Sequence, residues 1–281
     1  MSYVTLRELL PAAERSGYAV PAFNILNYLT ARATIEACEE MRSPLIIQTS
    51  VKTVKQIGAV ELMDFIAPLM AKAKVPVALH LDHCTDIDYA KLCVDVGWTS
   101  IMIDGSQLPL EQNIDMTNEL IRYGKSRNIS VEGEIGAVVG VEDDLFVSED
   151  AGMLANLSSC LTYLEHTAVD ALAPAIGTAH GMYKGEPKLS FDLFSDIKAA
   201  VSTPLVVHGG TGLSPEVFRR LVSLGASKIN VSTDIKNSYL TACKTTETAH
   251  GDPLKFDAAV SEAIKTTVKW YLEIFGSADK A

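Results

Sequence analysis

The chain has no long apolar run and few cysteines. No stretch approaches the ~18 consecutive apolar residues of a membrane span, and the opening residues, MSYVTLRELL, lack the basic region and apolar core of a secretory signal. Its five cysteines are scattered without C-x-x-C spacing, which argues against a disulfide framework and against a zinc knuckle. We therefore expect a cytoplasmic protein with reduced thiols and no membrane association.

Positive charge is also scarce. Lysine and arginine number 24 against 35 aspartates and glutamates, which gives a formal net charge of -11. No basic stripe could displace the counterions of a nucleic acid, so nucleic-acid binding is not expected. Low-complexity segments and Pro/Ser linkers are missing as well, and residues 1–281 are predicted to form a single domain.

What the chain does contain is an alternation of strand-like and helix-like segments. Segments such as NYLTARATIEACEEMRS and SPEVFRRLVSLGAS are helical in composition, and the second has Ser214 as N-cap, Pro215 at the first helical position and Gly225 as its stop. This pattern predicts a (β/α)8 TIM barrel, with a doubly wound sheet as the alternative. The eight β-rich runs are YAVPAFN, SPLIIQTS, VPVALHLDH, TSIMIDGS, ISVEGEIG, VDALAPAIG, TPLVVHGG and SKINVST.

Nearly every predicted strand ends in a polar residue. The carboxyl ends of barrel strands converge on one rim, where barrel enzymes keep their active sites. One site could therefore collect all of these side chains. They are Asn24, Gln48, Ser50, Asp82, His83, Asp104, Glu134, His180, His208, Asn230, Ser232 and Thr233.

Three of the six histidines, His83, His180 and His208, lie at or just after the ends of strands three, six and seven. Three neutral imidazoles with an open coordination position form a typical catalytic zinc site. The alternative for each is a histidine that only makes hydrogen bonds at a strand end. His80 is expected to be a core residue or a support for the ligands.

Asp82 and His83 are adjacent, so strict alternation would send their side chains to opposite faces of strand three. At least one of them is therefore expected to lie beyond the regular strand, where the site begins. Asp82 is a candidate for proton exchange with a substrate hydroxyl. The alternative is that Asp82 only orients a histidine ligand.

Two further acidic residues end strands four and five. Asp104 and Glu134 could hold a second metal ion, could position the imidazoles, or could form a structural pair. The stretch after Glu134, IGAVVGVEDDLFVSEDAG, shows little periodicity and occupies the place of a lid. Glu142 within it is a candidate base, and a solvated acidic loop is the alternative.

Glycines and hydroxyls follow the last two strands. HGGTGLS after strand seven and NVSTD after strand eight offer backbone N–H groups at the strand pair that commonly binds phosphate in barrels. Glycine allows a close approach of the backbone to an anion. GGTG by itself is equally compatible with a plain turn.

Together these residues give the chain a close resemblance to the class II, metal-dependent ketose-bisphosphate aldolases, which act on fructose and tagatose bisphosphates. The similarity extends from YAVPAFN to FGSADKA. The segments that carry it are LHLDHC, MIDGS, AIGTAHGMYKGEP, VHGGTGLS and KINVSTD.

The resemblance implies a role for each matching position. Zinc would be bound by His83, His180 and His208, with a monovalent cation as a further candidate cofactor. Asp82 would be the proton donor, and Glu142 would move the dihydroxyacetone-phosphate proton. The residues that would hold the 1-phosphate end are Gly181, Gly209, Gly210, Thr211, Asn230, Val231, Ser232 and Thr233, and those lining the pocket are Asn24 and Ser50.

The chain departs from the family pattern at the distal end of the substrate. Where the family has an Asp-Pro-Arg whose arginine, from a neighbouring subunit, binds the distal phosphate, this chain reads GDPLKF, with Leu254 in that place. Lys52 and Lys55, in QTSVKTVK, are candidates to supply the missing charge. Val139 replaces a common glycine in the lid loop.

The resemblance therefore implies a lyase that cleaves a ketose 1-phosphate or 1,6-bisphosphate into dihydroxyacetone phosphate and an aldehyde. One alternative is the same chemistry on a substrate whose distal group is not phosphate. Others are a metal-dependent sugar-phosphate epimerase and a sugar-phosphate-binding subunit without turnover. The family also implies a homodimer or homotetramer.

Overall fold

Eight parallel strands close into a barrel. The structure is a computed structural model that describes residues 3–142, 145–147, 153–181, 188–246 and 251–281, apart from the side chains of residues 139, 141–147 and 180. The barrel strands are β1 (Val20–Asn24), β2 (Leu45–Ser50), β3 (Val77–Cys84), β4 (Ser100–Ile103), β5 (Ser130–Ile135), β8 (Ala171–Pro174), β10 (Leu205–Val207) and β11 (Ala226–Val231). Each strand pairs with the strands before and after it in this order, and β11 closes the barrel by pairing with β1.

Helices surround the barrel, and strand and helix alternate along the chain. The predicted (β/α)8 TIM barrel is therefore confirmed, and each of the eight predicted strand segments overlaps one barrel strand. The helices are α1 (Leu6–Ser16), α2 (Tyr28–Glu40), α3 (Val51–Ile57), α4 (Ala59–Lys72), α5 (Ile87–Val96), α6 (Leu110–Gly124), α7 (Leu157–His166), α8 (Phe191–Ala200), α9 (Pro215–Ser223), α10 (Thr233–Thr245) and α11 (Pro253–Ile274).

The predicted ends of α9 are confirmed. The Ser214 side chain accepts a hydrogen bond from the backbone N–H of Val217, and Pro215 is the first helical residue. The helix ends at Ser223, and Gly225 follows with a φ of 103°, a conformation that glycine adopts without strain. Among the helices of the described residues, none combines the length and the apolarity needed to cross a bilayer.

Helix α1 closes the amino-terminal end of the barrel. Thr5 and Glu8 form a capping box that starts the helix. The helix then turns Leu6, Leu10 and Ala13 towards the barrel interior, where they are fully buried. This apolar contact seals the end of the barrel opposite the predicted site. The interior residues in the same cluster are Val20, Ala22, Ile46, Ala78, Ala171, Ala173 and Val206.

The other half of the interior is polar. Side chains near the carboxyl ends of the strands are almost completely buried, and most of them make hydrogen bonds or ion pairs with each other. Burying so many polar groups is costly unless they are paired or bind a ligand, so the fold concentrates its chemistry at this end. The residues are Asn24, Gln48, Asp82, Asp104, Glu132, Glu134, His208 and Asn230.

A second, small sheet replaces the aperiodic loop expected after β5. Its strands are β6 (Val139–Glu142), β7 (Leu145–Val147) and β9 (Ala179–His180). Strands β6 and β7 are antiparallel, and β6 pairs in parallel with β9, with Gly140 opposite His180. The backbone segments of Glu142 and His180 are thus joined in one sheet.

Candidate active site and metal centre

A bulge near the end of β3 allows two consecutive side chains to share one site. In the pairing of β3 with β4, Leu81 lies opposite Ile101 and Cys84 opposite Ile103, so β3 contains one extra residue. His83 has a φ of 47°, a left-handed conformation that is uncommon for residues other than glycine. The strand does not end here as expected, because β3 continues to Cys84, but the bulge at His83 departs from regular strand geometry and reorients the side chains.

Asp82, His83 and His208 form a buried cluster at the barrel mouth. One potential ligand atom from each lies within 4.8 Å of the others. The imidazole rings of His83 and His208 meet edge to face with centroids 4.7 Å apart. Nitrogen and carboxylate donors suit zinc and other first-row transition metals, so this donor set fits a metal ion. The side chain of His180, the third predicted ligand, lies outside the described residues, as does that of Glu142.

Asp104 holds the His83 imidazole. Nδ1 of His83 lies 2.8 Å from Oδ2 of Asp104, and the backbone N–H of Ser106 donates to Oδ1 at 3.0 Å. Burial disfavours ionisation of Asp104, but its bonds with His83 and Ser106 outweigh burial and lower its pKa. Because Asp104 occupies Nδ1, it directs Nε2 of His83 towards the place of a metal.

His208 lies between two carboxylates of β5. Its Nε2 is 2.9 Å from Oε1 of Glu132, and its Nδ1 is 3.1 Å from Oε2 of Glu134. Burial disfavours the charged imidazolium, but the interactions with Glu132 and Glu134 outweigh burial and raise the pKa of His208 to about 9. Burial opposes protonation of His83 too, yet Asp82 and Asp104 raise the pKa of His83 well above its ordinary value.

Two amide side chains orient Asp82. Nε2 of Gln48 donates to Oδ2 of Asp82 at 2.8 Å, and Nδ2 of Asn230 donates to Oδ1 at 3.3 Å. The same Gln48 nitrogen also donates to Oδ1 of Asn24 at 2.8 Å. Asn230 therefore contacts the candidate catalytic carboxylate directly, and Asn24 is linked to it through Gln48. This network joins strands β1, β2, β3 and β11.

The glycines after β10 allow close contacts between that loop and the backbones of two neighbouring strands. A Cβ on Gly209 would lie 2.5 Å from the carbonyl oxygen of Ala179, and one on Gly210 would lie 2.8 Å from that of Asn230. Gly181, next to β9, has a φ of 83°. These approaches bring the loop after β10 against β9 and the end of β11 at the mouth, where the phosphate site was predicted.

The other predicted phosphate ligands differ in how they can contact a substrate. Thr211 and Ser232 are almost fully buried and Thr233 is half-buried. Val231 packs its side chain into the core between the barrel and the helices. Only the backbone of Val231 can therefore face a ligand at the mouth.

The candidates for the distal group occupy different surroundings. Lys52 lies in the first turn of α3, which starts directly after Ser50 at the end of β2. The ammonium of Lys55 lies 5.0 Å from the ring centroid of Tyr89, on helix α5. Leu254 is in the first turn of α11 and is 80% exposed. Lys52 is thus the lysine next to the rim, and Lys55 is an exposed residue whose ammonium lies against the Tyr89 ring.

Three site residues were not predicted from the sequence: Gln48 on β2, Glu132 on β5 and Lys228 on β11. Gln48 was noted only as a polar strand end, and Glu132 and Lys228 were not considered. A signal existed, because Glu132 is two residues from Glu134 and Lys228 is two residues from Asn230. Side chains two apart on a strand share a face, so both pairs must point into the barrel.

Comparison with known proteins agrees with this geometry. The family model for class II fructose-bisphosphate aldolase matches residues 4–280. A 6-phospho-5-dehydro-2-deoxy-D-gluconate aldolase from Halalkalibacterium halodurans is 39% identical over 287 residues, which cover 100% of this chain and 99% of that protein.

Two crystal structures have the same fold at lower identity. A putative fructose-1,6-bisphosphate aldolase from Coccidioides immitis superposes with a TM-score of 0.91 at 29% identity, over 97% of this chain and 96% of that one. The YdjI aldolase from Escherichia coli K12 superposes with a TM-score of 0.88 at 29% identity, over 100% of both chains. The chain therefore belongs to the class II fructose-bisphosphate aldolase family and is an enzyme of the aldolase type.

Proposed function

We propose that this enzyme uses zinc to cleave a phosphorylated keto sugar or keto acid into dihydroxyacetone phosphate and an aldehyde. The observation that carries the proposal is the buried cluster of Asp82, His83 and His208 at the barrel mouth. Membership of a family that is generally zinc-dependent supports the choice of metal. His83, His180 and His208 would hold the ion, which when bound polarises the substrate ketone.

The protein's own carboxylates move the protons. In the cleavage direction, Asp82 accepts the proton of the hydroxyl on the carbon that becomes the aldehyde. The bond between that carbon and its neighbour on the ketone side breaks, and Glu142 delivers a proton to the neighbour, which completes dihydroxyacetone phosphate. Gln48 and Asn230 support the role of Asp82 because their N–H groups hold both of its oxygens in a fixed orientation.

Loops at the mouth bind the phosphate next to the ketone. Gly181, Gly209 and Gly210 bring backbone N–H groups close to the ligand, and Thr211, Ser232 and Thr233 add hydroxyls. Asn24 and Ser50 line the pocket beside them. The close approach of the loops at Gly209 and Gly210 supports this assignment.

For the distal group we propose a carboxylate. A substrate such as 6-phospho-5-dehydro-2-deoxy-D-gluconate, named in the Halalkalibacterium halodurans relative, has a carboxylate where fructose 1,6-bisphosphate has its second phosphate. Because position 254 is a leucine, the chain lacks there the arginine guanidinium of the family pattern, which could bind a phosphate through two hydrogen bonds. Lys52, a single point charge at the rim, is sufficient for a carboxylate.

A substrate panel tests the proposal. We expect the zinc-loaded enzyme to release dihydroxyacetone phosphate from the keto acid phosphate with a higher kcat/KM than from fructose 1,6-bisphosphate, in an assay coupled to reduction of the triose phosphate. Lys52→Ala should lower kcat/KM for the keto acid roughly 10- to 100-fold, which corresponds to about 1.5–3 kcal/mol for a hydrogen bond to a charged group.

Lys55→Ala is the matched control, because it removes the same charge three residues away but from a side chain that packs on Tyr89. It should leave kcat/KM within about twofold of the original value. Efficient cleavage of fructose 1,6-bisphosphate, at ~10⁵ M⁻¹s⁻¹ or above, together with a harmless Lys52→Ala, would contradict the assignment of the distal group.

A further inference from the structure

Lys228 is a fully buried lysine inside the barrel. It lies on β11, opposite Val20 of β1 and Val206 of β10, close to the boundary between the apolar and polar halves of the interior. A buried ammonium is costly unless it is paired and hydrogen-bonded. Its partner is Glu132 on β5, whose two carboxylate oxygens lie 2.9 and 3.2 Å from Nζ.

The same carboxylate contacts a candidate metal ligand. Oε1 of Glu132 is 2.9 Å from Nε2 of His208, and Oε2 is 3.7 Å from Nε2 of His80. Because Lys228 contacts both oxygens, it restricts rotation of the carboxylate group about its own axis. Oε1 is thereby kept facing His208. His80 also faces the Glu132 carboxylate, and a hydrogen bond of 2.7 Å between its Nδ1 and Oγ of Ser100 fixes its ring.

From these contacts we infer that Lys228 is a positioning residue for the metal centre. It holds Glu132 so that Oε1 accepts the Nε2–H of His208. This bond leaves Nδ1 of His208, which lies 3.1 Å from Oε2 of Glu134 in the metal-free protein, as the nitrogen offered to the centre that also contains Asp82 and His83. The inference rests on the proposed zinc-dependent function. It adds a support deeper in the barrel than the cluster at the mouth, which the sequence resemblance does not assign.

An alternative role for Lys228 is structural. Buried ion pairs are often no more stabilising than well-packed apolar residues of similar volume, so the pair is a weak source of stability. A purely structural lysine would affect the free energy of unfolding and leave the zinc affinity of the folded protein unchanged. A lysine acting on zinc only through its charge would repel the cation, so its removal would increase zinc affinity.

The experiment measures zinc affinity of the full chain by competition with a chelator at fixed pH, without reference to turnover. Lys228→Met should weaken zinc binding about 10- to 100-fold, the range seen when support residues of metal ligands are changed. The absorption spectrum of the cobalt-substituted variant should also change, because the ligand field depends on the orientation of His208. Arg7→Met is the control, since it removes an ion pair with Asp170 on the amino-terminal side of the barrel, and should leave zinc affinity unchanged.

A double-mutant cycle shows whether Lys228 acts through Glu132. Adding Lys228→Met to Glu132→Gln should change zinc affinity less than about twofold, because the carboxylate that the lysine orients is already gone. The double variant removes both charges of the buried ion pair, so it can be used to test the inference if Lys228→Met alone does not fold. In that case we expect the double variant to bind zinc at least about tenfold more weakly than the original protein.

The outcomes separate the two proposals. Unchanged or increased zinc affinity in folded Lys228→Met, or original affinity in the double variant, would overturn the positioning role and leave the proposed function intact. Failure of the original protein to bind zinc would overturn both. Fully additive effects in the cycle would show that Lys228 acts independently of Glu132 and would also reject the inference.

Discussion

At the scale of single residues, the site is built from carboxylates that each have a partner. Asp104 contacts His83, Glu134 contacts His208, and Glu132 contacts both His208 and Lys228. Asp82 accepts hydrogen bonds from the neutral amides of Gln48 and Asn230, and its charge also raises the pKa of the neighbouring His83. An oriented carboxylate held by neutral donors is suited to proton exchange with a substrate.

Replacement of Asp82 tests its role. We expect Asp82→Ala to lower kcat by roughly 10²-fold or more, as is typical when a general acid or base is lost. Zinc content, measured by elemental analysis, should remain at about one ion per chain, because the histidine ligands of a catalytic zinc site are still present. Loss of the metal, with the rate restored by added zinc, would instead make Asp82 a support for the ligands.

The histidines predict a pH dependence of metal binding. In the metal-free protein, His83 and His208 have raised pKa values, and that of His208 is about 9. Both must lose a proton before they can bind a metal, so zinc binding at pH 7 should release about two protons. Calorimetry in buffers of different ionisation enthalpy measures this number. Zinc affinity should rise as the pH increases towards about 9; affinity independent of pH between 6 and 9 would contradict the prediction.

The same shifts affect the stability of the metal-free protein. Because the pKa of His208 is raised on folding, its protonation stabilises the folded state fully below the unfolded value of 6.5. That contribution is lost as the pH rises through about 9. We therefore expect the denaturant midpoint of the metal-free protein to fall over this interval and that of the zinc-loaded protein to fall less.

At the scale of secondary-structure elements, two irregular features assemble the site. The bulge in β3 brings Asp82 and His83 to the same place, and the pairing of β6 with β9 joins the segments of Glu142 and His180. The sequence indicated where both features lie, because Asp82 and His83 end the third predicted strand and Glu142 and His180 follow the fifth and sixth. It did not reveal the bulge or the small sheet, because neither follows a hydrophobic period that a single sequence displays.

The proposed role of Glu142 as a base is tested by the exchange of one dihydroxyacetone-phosphate carbon proton with solvent. Glu142→Gln should slow the exchange of the dihydroxyacetone-phosphate carbon proton with solvent by roughly 10²-fold or more, since the variant keeps the size of the side chain but cannot accept a proton. Binding of the triose phosphate should weaken far less, because a base acts on the transition state. Exchange followed by NMR in heavy water gives the rate, and equal losses in exchange and binding would make Glu142 a binding residue.

At the scale of the whole molecule, the barrel separates stability from function. Helix α1 and the apolar interior close one end, and the polar cluster occupies the other. We propose that the enzyme is a homodimer or homotetramer in the cytoplasm. We also propose that it binds small sugar phosphates and binds neither nucleic acids nor membranes. In that assembly α11, with the exposed Leu254 in its first turn, would lie near a neighbouring subunit.

Leu254→Arg tests the link between assembly and specificity. If α11 faces a neighbour's site, the new guanidinium supplies a bidentate phosphate ligand, and kcat/KM for fructose 1,6-bisphosphate should rise by about tenfold or more. The value for a substrate with a distal carboxylate should not rise to the same extent. Leu240→Arg, at another exposed leucine on α10, is the control. Equal effects of the two variants on both substrates would argue against a role of position 254 in specificity.

The sequence alone determined the barrel, the end of it that carries the chemistry, and the family. These follow from local patterns: the repeated alternation of strand and helix, and the polar residue that ends each strand, are both visible within short segments. Tertiary structure decided which side chains meet. Glu132 on β5 is far in sequence from Lys228 on β11 and from His208, which follows β10, and their contacts depend on barrel closure and strand register. A pattern with a period of two indicates the face on which a side chain lies, but the partner across the barrel is set by the packing of the whole chain.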